Sequence, residues 1–210
     1  DISWGLASNG IAVFRYEKRT KQHAARMAES STTLTVQEET VDDAVSAVSM
    51  LKNRTEIEGK NIYVLGHSLG GMLIPRIGLS HQQIAGFIIF AGPTRPLEDI
   101  VLEQFNYVFG LDGQVSKEER NQLKQLEEQI AVIKTGAFDN NSQMLLSLPA
   151  SYWLDLKNYD PVKVAKKLDE PIIILQGERD YQVTMDDFKH WQKELASNDN
   201  VKIELFPQLN

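Results

Sequence analysis

The chain has 210 residues with 22 Lys plus Arg against 29 Asp plus Glu, a net charge of −7, and 42% hydrophobic content. That is the composition of a globular protein with one sizeable core; the acidic balance argues against a nucleic-acid scaffold, which needs a basic face. The absence of cysteine removes disulfides, thiol nucleophiles and Cys-ligated metals, and no apolar run approaches the 18 residues of a membrane span.

Asp1–Gly10 has neither the basic start nor the apolar stretch of a signal peptide. It reads as the end of a helix closed by Asn9-Gly10, so further residues are expected before Asp1. Neither a cytoplasmic nor a secreted origin is legible. Ile11–Tyr16 is β-rich and predicts a strand, followed by a loop through His23. Thr35 and Glu38 have capping-box spacing, and Val41, Ala44, Val45, Val48 and Leu51 repeat at helical spacing toward Glu58-Gly59. Ile62–Leu65 has the pattern of a buried parallel strand, and a helix over 69–80 must accommodate Pro75. Ile84–Ala91 predicts another buried strand.

From Pro96 to Asp160 strand character is scarce. Ser116 and Glu119 open a second capping box, with Leu123, Leu126, Ile130 and Ile133 on one stripe. Pro171–Leu175 returns to a strand, Thr184–Ala196 to a helix and Val201–Leu205 to a strand. Strands alternating with helices predict an α/β fold, a mostly parallel sheet covered by helices on both faces.

The sharpest chemical signal is Gly66-His67-Ser68-Leu69-Gly70, between a strand and a helix. A chance G-x-S-x-G in such a chain is expected about 0.07 times. The spacing has a physical reason. A serine on a very tight turn projects its hydroxyl above the sheet, and its neighbours need almost no side chain where strand and helix approach. The helix start also aims backbone N–H groups at the site, so Leu69 N–H is an oxyanion donor. The competing reading is a glycine-rich turn with an incidental serine.

A serine needs a base, normally a histidine oriented by a carboxylate. Asp180, in Gln176-Gly177-Glu178-Arg179-Asp180, follows a buried strand by a short loop, at the sheet edge that carries sites in open α/β folds. Glu178 is its nearest rival; Asp186 and Asp187 read as surface charges. The four histidines, His23, His67, His81 and His190, include none that fits the base role. His67 packs behind the turn, His81 follows a helix end, His23 precedes the serine on a loop, and His190 lies on a surface helix.

These residues resemble the α/β-hydrolase fold, and more narrowly the bacterial esterase and serine aminopeptidase-like hydrolases. The resemblance extends over essentially the whole chain. It is carried by Leu6–Tyr16, the turn at 66–70, Leu175–Asp180 and Leu205–Asn210. One departure is Glu17-Lys18-Arg19-Thr20, where relatives usually begin with Asp. The resemblance implies Ser68 as nucleophile and Asp180 as triad acid. It implies the catalytic histidine immediately after Asn210 and a His-Gly loop, supplying a second oxyanion N–H, before Asp1. It divides the chain into a hydrolase core, residues 1–95 and 161–210, and a helical cap insertion, residues 96–160. Tyr152, Trp153 and Tyr181 are pocket candidates under such a cap, with plain core or cap packing as the alternative.

The expected activity is cleavage of a small-molecule carboxylic ester or other acyl substrate through an acyl-enzyme, with no cofactor and no metal. No H-E-x-x-H pair or G-x-x-x-x-G-K loop is present. A peptidase or amidase of the same fold, and a catalytically inactive binding module, are the alternatives. Oligomeric state is open.

Overall fold

A computed structural model describes residues 2–30, 33–81 and 83–210, the side chains of 28–30 excepted. Four strands, β1 (Tyr63–His67), β2 (Gly86–Phe90), β5 (Ile172–Gly177) and β6 (Val201–Phe206), form one sheet in the order β1-β2-β5-β6. Every pairing is parallel, with His67 opposite Phe90, Phe90 opposite Leu175, and Gly177 opposite Phe206. Parallel strands need crossovers, and helices supply them. α5 (Leu69–Ser80) joins β1 to β2, and α10 (Met185–Leu195) joins β5 to β6.

The elements before the sheet are α1 (Ile2–Ser8), α2 (Arg19–Gln22), α3 (Ala24–Ser30), a π-helical turn (Gln37–Val41) and α4 (Asp42–Lys52). Between β2 and β5 lie α6 (Leu97–Phe109), α7 (Lys117–Thr135), the two-residue strands β3 (Met144–Leu145) and β4 (Leu148–Pro149), α8 (Ala150–Leu156) and α9 (Pro161–Ala165). No helix among the described residues is long and apolar enough to cross a membrane.

One main core joins α4, α5 and the sheet through Val41, Val48, Leu73, Ile74, Phe87 and Ile174. Tyr152, Leu156 and Val162, from the segment between β2 and β5, belong to it. A smaller cluster, Ile133, Leu145 and Trp153, also lies between β2 and β5. Both capping signals are realised in part or in full. Ser116 Oγ accepts from Glu119 N–H and Glu119 accepts from Ser116 N–H, a complete box at the start of α7. Thr35 Oγ1 accepts from Glu38 N–H at 3.1 Å, but the chain then runs through the π-helical turn before α4 begins. α4 ends at Lys52, well short of Glu58-Gly59.

Three expectations are corrected. Ile11–Tyr16 forms no strand, and its side chains are exposed. β-propensity is expressed only against a neighbour, and no described strand lies beside this segment. The region after it is helical at α2 and α3 rather than a loop. Two-point contact of the Arg19 guanidinium with Asp43 anchors it to α4. Finally, β1 is the edge of the described sheet, with Tyr63 and Leu65 exposed, not a buried central strand.

Candidate active site

β1 ends at His67, and α5 begins at Leu69. Ser68 alone makes the turn, at φ 54° and ψ −121°. A non-glycine residue in that region costs about 1–3 kcal/mol, and such strain collects at functional sites. The turn is held from both sides: Ser68 N–H donates to Phe90 O of β2 at 3.0 Å, and Ser68 O accepts from Met72 N–H of α5 at 2.9 Å. A Cβ on Gly66 would overlap the Gly70 carbonyl and lie 2.8 Å from Gly71 N. Strand and helix backbones are thus in direct contact at Gly66. At Gly70 a Cβ would meet nothing within 4 Å, so the two glycines of the motif have different reasons. Ser68 is half-buried at the C-terminal edge of the sheet. The first N–H groups of α5, Leu69's among them, have no intrahelical acceptor and face the positive end of the helix dipole.

Asp180 follows β5 at the same edge. Its Oδ1 accepts from Gln182 N–H at 2.8 Å and Val183 N–H at 3.1 Å, so the loop's own backbone orients the carboxylate. The buried amide of Gln176 closes the loop at its base, donating to Gly177 O and Val183 O. β1 and β5 are separated by β2 alone. At the usual strand spacing the ends of these two strands are about 10 Å apart.

The four histidines lie elsewhere in function. His67, expected to pack behind the turn, is instead exposed, with its ring 5.4 Å from that of Phe90. His81 Nε2 is 3.2 Å from Ser49 Oγ. His23 is exposed between α2 and α3, and His190 is half-buried on α10. None of these contacts involves Ser68 or Asp180. Leu209 O accepts from Arg179 N–H at 3.0 Å, and a Cβ on Gly177 would meet Asn210 C at 2.9 Å. Residues 209–210 therefore lie against the loop that carries Asp180.

Tyr181 is half-buried beside the acid and stacks on Tyr107 of α6, with centroids 4.5 Å apart at 16°. Gln104 Nε2 donates to Gln182 O at 3.0 Å, so α6 leans on the Asp180 loop. Tyr152 and Trp153 take the packing alternative. Tyr152 is 1% exposed and donates its hydroxyl to Glu39 Oε2 at 2.9 Å; Trp153 Nε1–H donates to Leu145 O. Glu39, in the π-helical turn, also accepts from Thr20 Oγ1 and pairs with Lys18 Nζ at 3.4 Å. Burial, with the Glu39 charge second, pushes the Tyr152 phenol far above its usual range.

Asp187 is a further correction. It is 0% exposed rather than a surface charge, while Asp186 is exposed. Its carboxylate accepts from Thr94 N–H and Oγ1 and from Arg95 N–H, Nε and Nη2. Sequence reasoning missed Asp187, Arg95 and Gln176. An acid in the first turn of a helix is what the helix dipole alone would favour, so nothing local marked Asp187. Among the described residues no three His, Asp or Glu side chains gather as a metal site requires. An open cleft of about 910 Å³ between the segment at 14–27 and α4, lined in part by Phe14, Arg19, His23 and Asp43, contains neither Ser68 nor Asp180.

This geometry agrees with the likeness to known proteins. The chain is 40% identical over 212 residues to Esterase EstD of Thermotoga maritima, a match covering 100% of this chain and 48% of that protein. It thus spans about half the length of that relative. The Pyrococcus furiosus esterase Pf2001 superposes with a TM-score of 0.53 at 17% identity, over 83% of this chain and 53% of that one. Est1E from Butyrivibrio proteoclasticus gives 0.51 at 14%, over 80% and 58%. These two likenesses are of fold, and the fold is that of the α/β hydrolases. The family described as serine aminopeptidase, S33, matches residues 1–210, so the chain belongs, from one end to the other, to that family of α/β hydrolases.

Proposed function

We propose that the protein is a serine hydrolase that cleaves small-molecule carboxylic esters, with Ser68 as nucleophile and Asp180 as triad acid. The observation that carries this reading is the strained Ser68 turn, closed by the Gly66–Gly70 contact, at the same sheet edge as Asp180. Ser68 Oγ attacks the acyl carbon as a histidine takes its proton. The oxyanion is met by Leu69 N–H and a second N–H from a loop preceding Asp1. The same histidine then protonates the leaving alcohol, giving an acyl-Ser68 ester, and activates the water that releases the acid. That histidine is the residue after Asn210. Its support is that residues 209–210 lie against Gly177 and Arg179, so the next residue starts beside the Asp180 loop. Asp180, already oriented by two backbone N–H groups, then holds the imidazole.

The insert 96–160 serves as the cap in this reading, with Tyr181 on its Tyr107 as pocket wall. Support comes from the stacked pair and the Gln104–Gln182 bond, which bring α6 over the acid. Water exclusion under such a cap strengthens the oxyanion contacts.

The relative's name favours esters; the family's name keeps amides open. Rates on p-nitrophenyl esters set against aminoacyl p-nitroanilides decide between them. For the reaction class, Ser68→Ala in the full-length protein is expected to abolish fluorophosphonate labelling and lower kcat by about 10⁴–10⁶. Undiminished labelling of the Ser68→Ala protein would refute it, and a wild-type protein that neither labels nor turns over esters would point to the binding module.

A further inference from the structure

A fully buried carboxylate sits between the two halves of the proposed site. Asp187 Oδ1 accepts from Thr94 N–H at 2.8 Å, Thr94 Oγ1 at 3.0 Å and Arg95 N–H at 3.2 Å. Its Oδ2 accepts from Arg95 Nε at 3.2 Å and Nη2 at 2.8 Å. The same Nη2 reaches Thr184 Oγ1 at 3.1 Å and forms an ion pair with Glu103. One turn further along α10, on the same face, Trp191 Nε1–H donates to Gly92 O at 2.7 Å. α10 therefore grips the segment Gly92–Arg95 at both ends.

That segment touches the nucleophile turn on its other side. A Cβ on Gly71, three residues after Ser68, would lie 2.9 Å from Gly92 Cα. The residue before Gly92, Ala91, is held at φ 46°, and the carbonyl of Phe90 accepts the Ser68 N–H. In the opposite direction, Asp187 N–H donates to Thr184 O at 3.1 Å, and Thr184 directly follows Val183, whose N–H orients Asp180. A continuous set of contacts and chain neighbours thus runs from Ser68 through Gly71, Gly92 and Thr94–Arg95 to Asp187, Thr184, Val183 and Asp180. Desolvating an ion pair adds little net stability, and a well-packed apolar group of similar volume often serves as well. What an apolar group cannot do is hold two successive backbone N–H groups in one place.

We propose that Asp187, clamped by Arg95, is a positioning residue that sets the separation of Ser68 from Asp180 through the segment Gly92–Arg95. It touches no reacting atom. The proposal rests on the roles given above to Ser68 and Asp180, and its test has a readout that does not. In the full-length protein, Asp187→Ala is expected to raise amide hydrogen exchange at Gln182 and Val183 at least tenfold. It should lower kcat on a p-nitrophenyl ester by about 10–100-fold with KM held within twofold, the response to a displaced catalytic group. Asp187→Asn keeps an oxygen for the Thr94 and Arg95 N–H groups, and should restore the slow exchange and most of kcat. Where Asp187→Ala does not fold, Arg95→Lys replaces it; losing the two-point grip should lower kcat about fivefold and loosen the same two amides. Unchanged exchange at Gln182 and Val183, or a kcat within twofold of wild type in a folded variant, would overturn the proposal. A wild-type protein without fluorophosphonate-reactive Ser68 would instead sink the hydrolase reading, and exchange alone would then decide the mechanical link.

Discussion

Gly66 and Gly70 flank Ser68 symmetrically in the chain but not in space. A methyl group at Gly66 is driven into the Gly70–Gly71 backbone, which cannot yield without moving the turn. Gly66→Ala is therefore expected to cost about 3 kcal/mol or more in thermal unfolding and to abolish fluorophosphonate labelling. At Gly70 the methyl meets open space within α5, so Gly70→Ala should leave the melting temperature unchanged or raise stability by about 0.5–1 kcal/mol. Equal damage from both substitutions would mean that the turn is not built on the Gly66 contact. Tyr152 offers a third test at this scale. Its hydroxyl is one of the donors to the buried Glu39 carboxylate, so Tyr152→Phe should lose about 1–3 kcal/mol while KM stays put, because the ring belongs to the core. A raised KM with full stability would return Tyr152 to the pocket.

Elements whose partners are local followed the pattern of the chain. α5 spans the expected 69–80, with Pro75 accommodated inside it, and α7 begins at the Ser116–Glu119 box. Helix hydrogen bonds and caps join residues three or four apart, so their evidence is contiguous. Ser116→Ala should accordingly destabilise by about 1 kcal/mol in denaturant unfolding without altering kcat. Ile11–Tyr16 shows the opposite case. Its content of β-branched and aromatic residues suits a strand as well as that of β6, yet β6 has β5 beside it and Ile11–Tyr16 has no described neighbour. Strand character is a property of a pair, and one segment of sequence contains only half of it.

For the molecule as a whole, pH is the accessible lever. Burial raises the phenol pKa of Tyr152 and Tyr159. A group whose folded pKa lies above its unfolded value keeps its proton in the native state after the unfolded state has lost it. Its contribution to stability is complete below the unfolded value and declines as pH rises above about 10. Native protein is thus expected to lose stability with increasing pH in that range. Spectrophotometric titration should show Tyr152 and Tyr159, of the six tyrosines, ionising only as the protein unfolds. Ionisation of all six phenols in a still-folded protein would contradict the burial.

The tight Ser68 turn between strand and helix, the place of Asp180 just after β5, and the strand–helix alternation that implies a parallel sheet were readable from the chain, because each is written in residues adjacent in sequence and constrained by backbone geometry. That Tyr152 is buried against Glu39, and Asp187 against Arg95, was decided by tertiary structure alone. Those contacts join positions 92 or more residues apart, such as Arg95 with Asp187 and Tyr152 with Glu39 at a separation of 113. Burial and pairing at such distances depend on what the rest of the fold brings alongside, and no local pattern of apolar and polar residues encodes it.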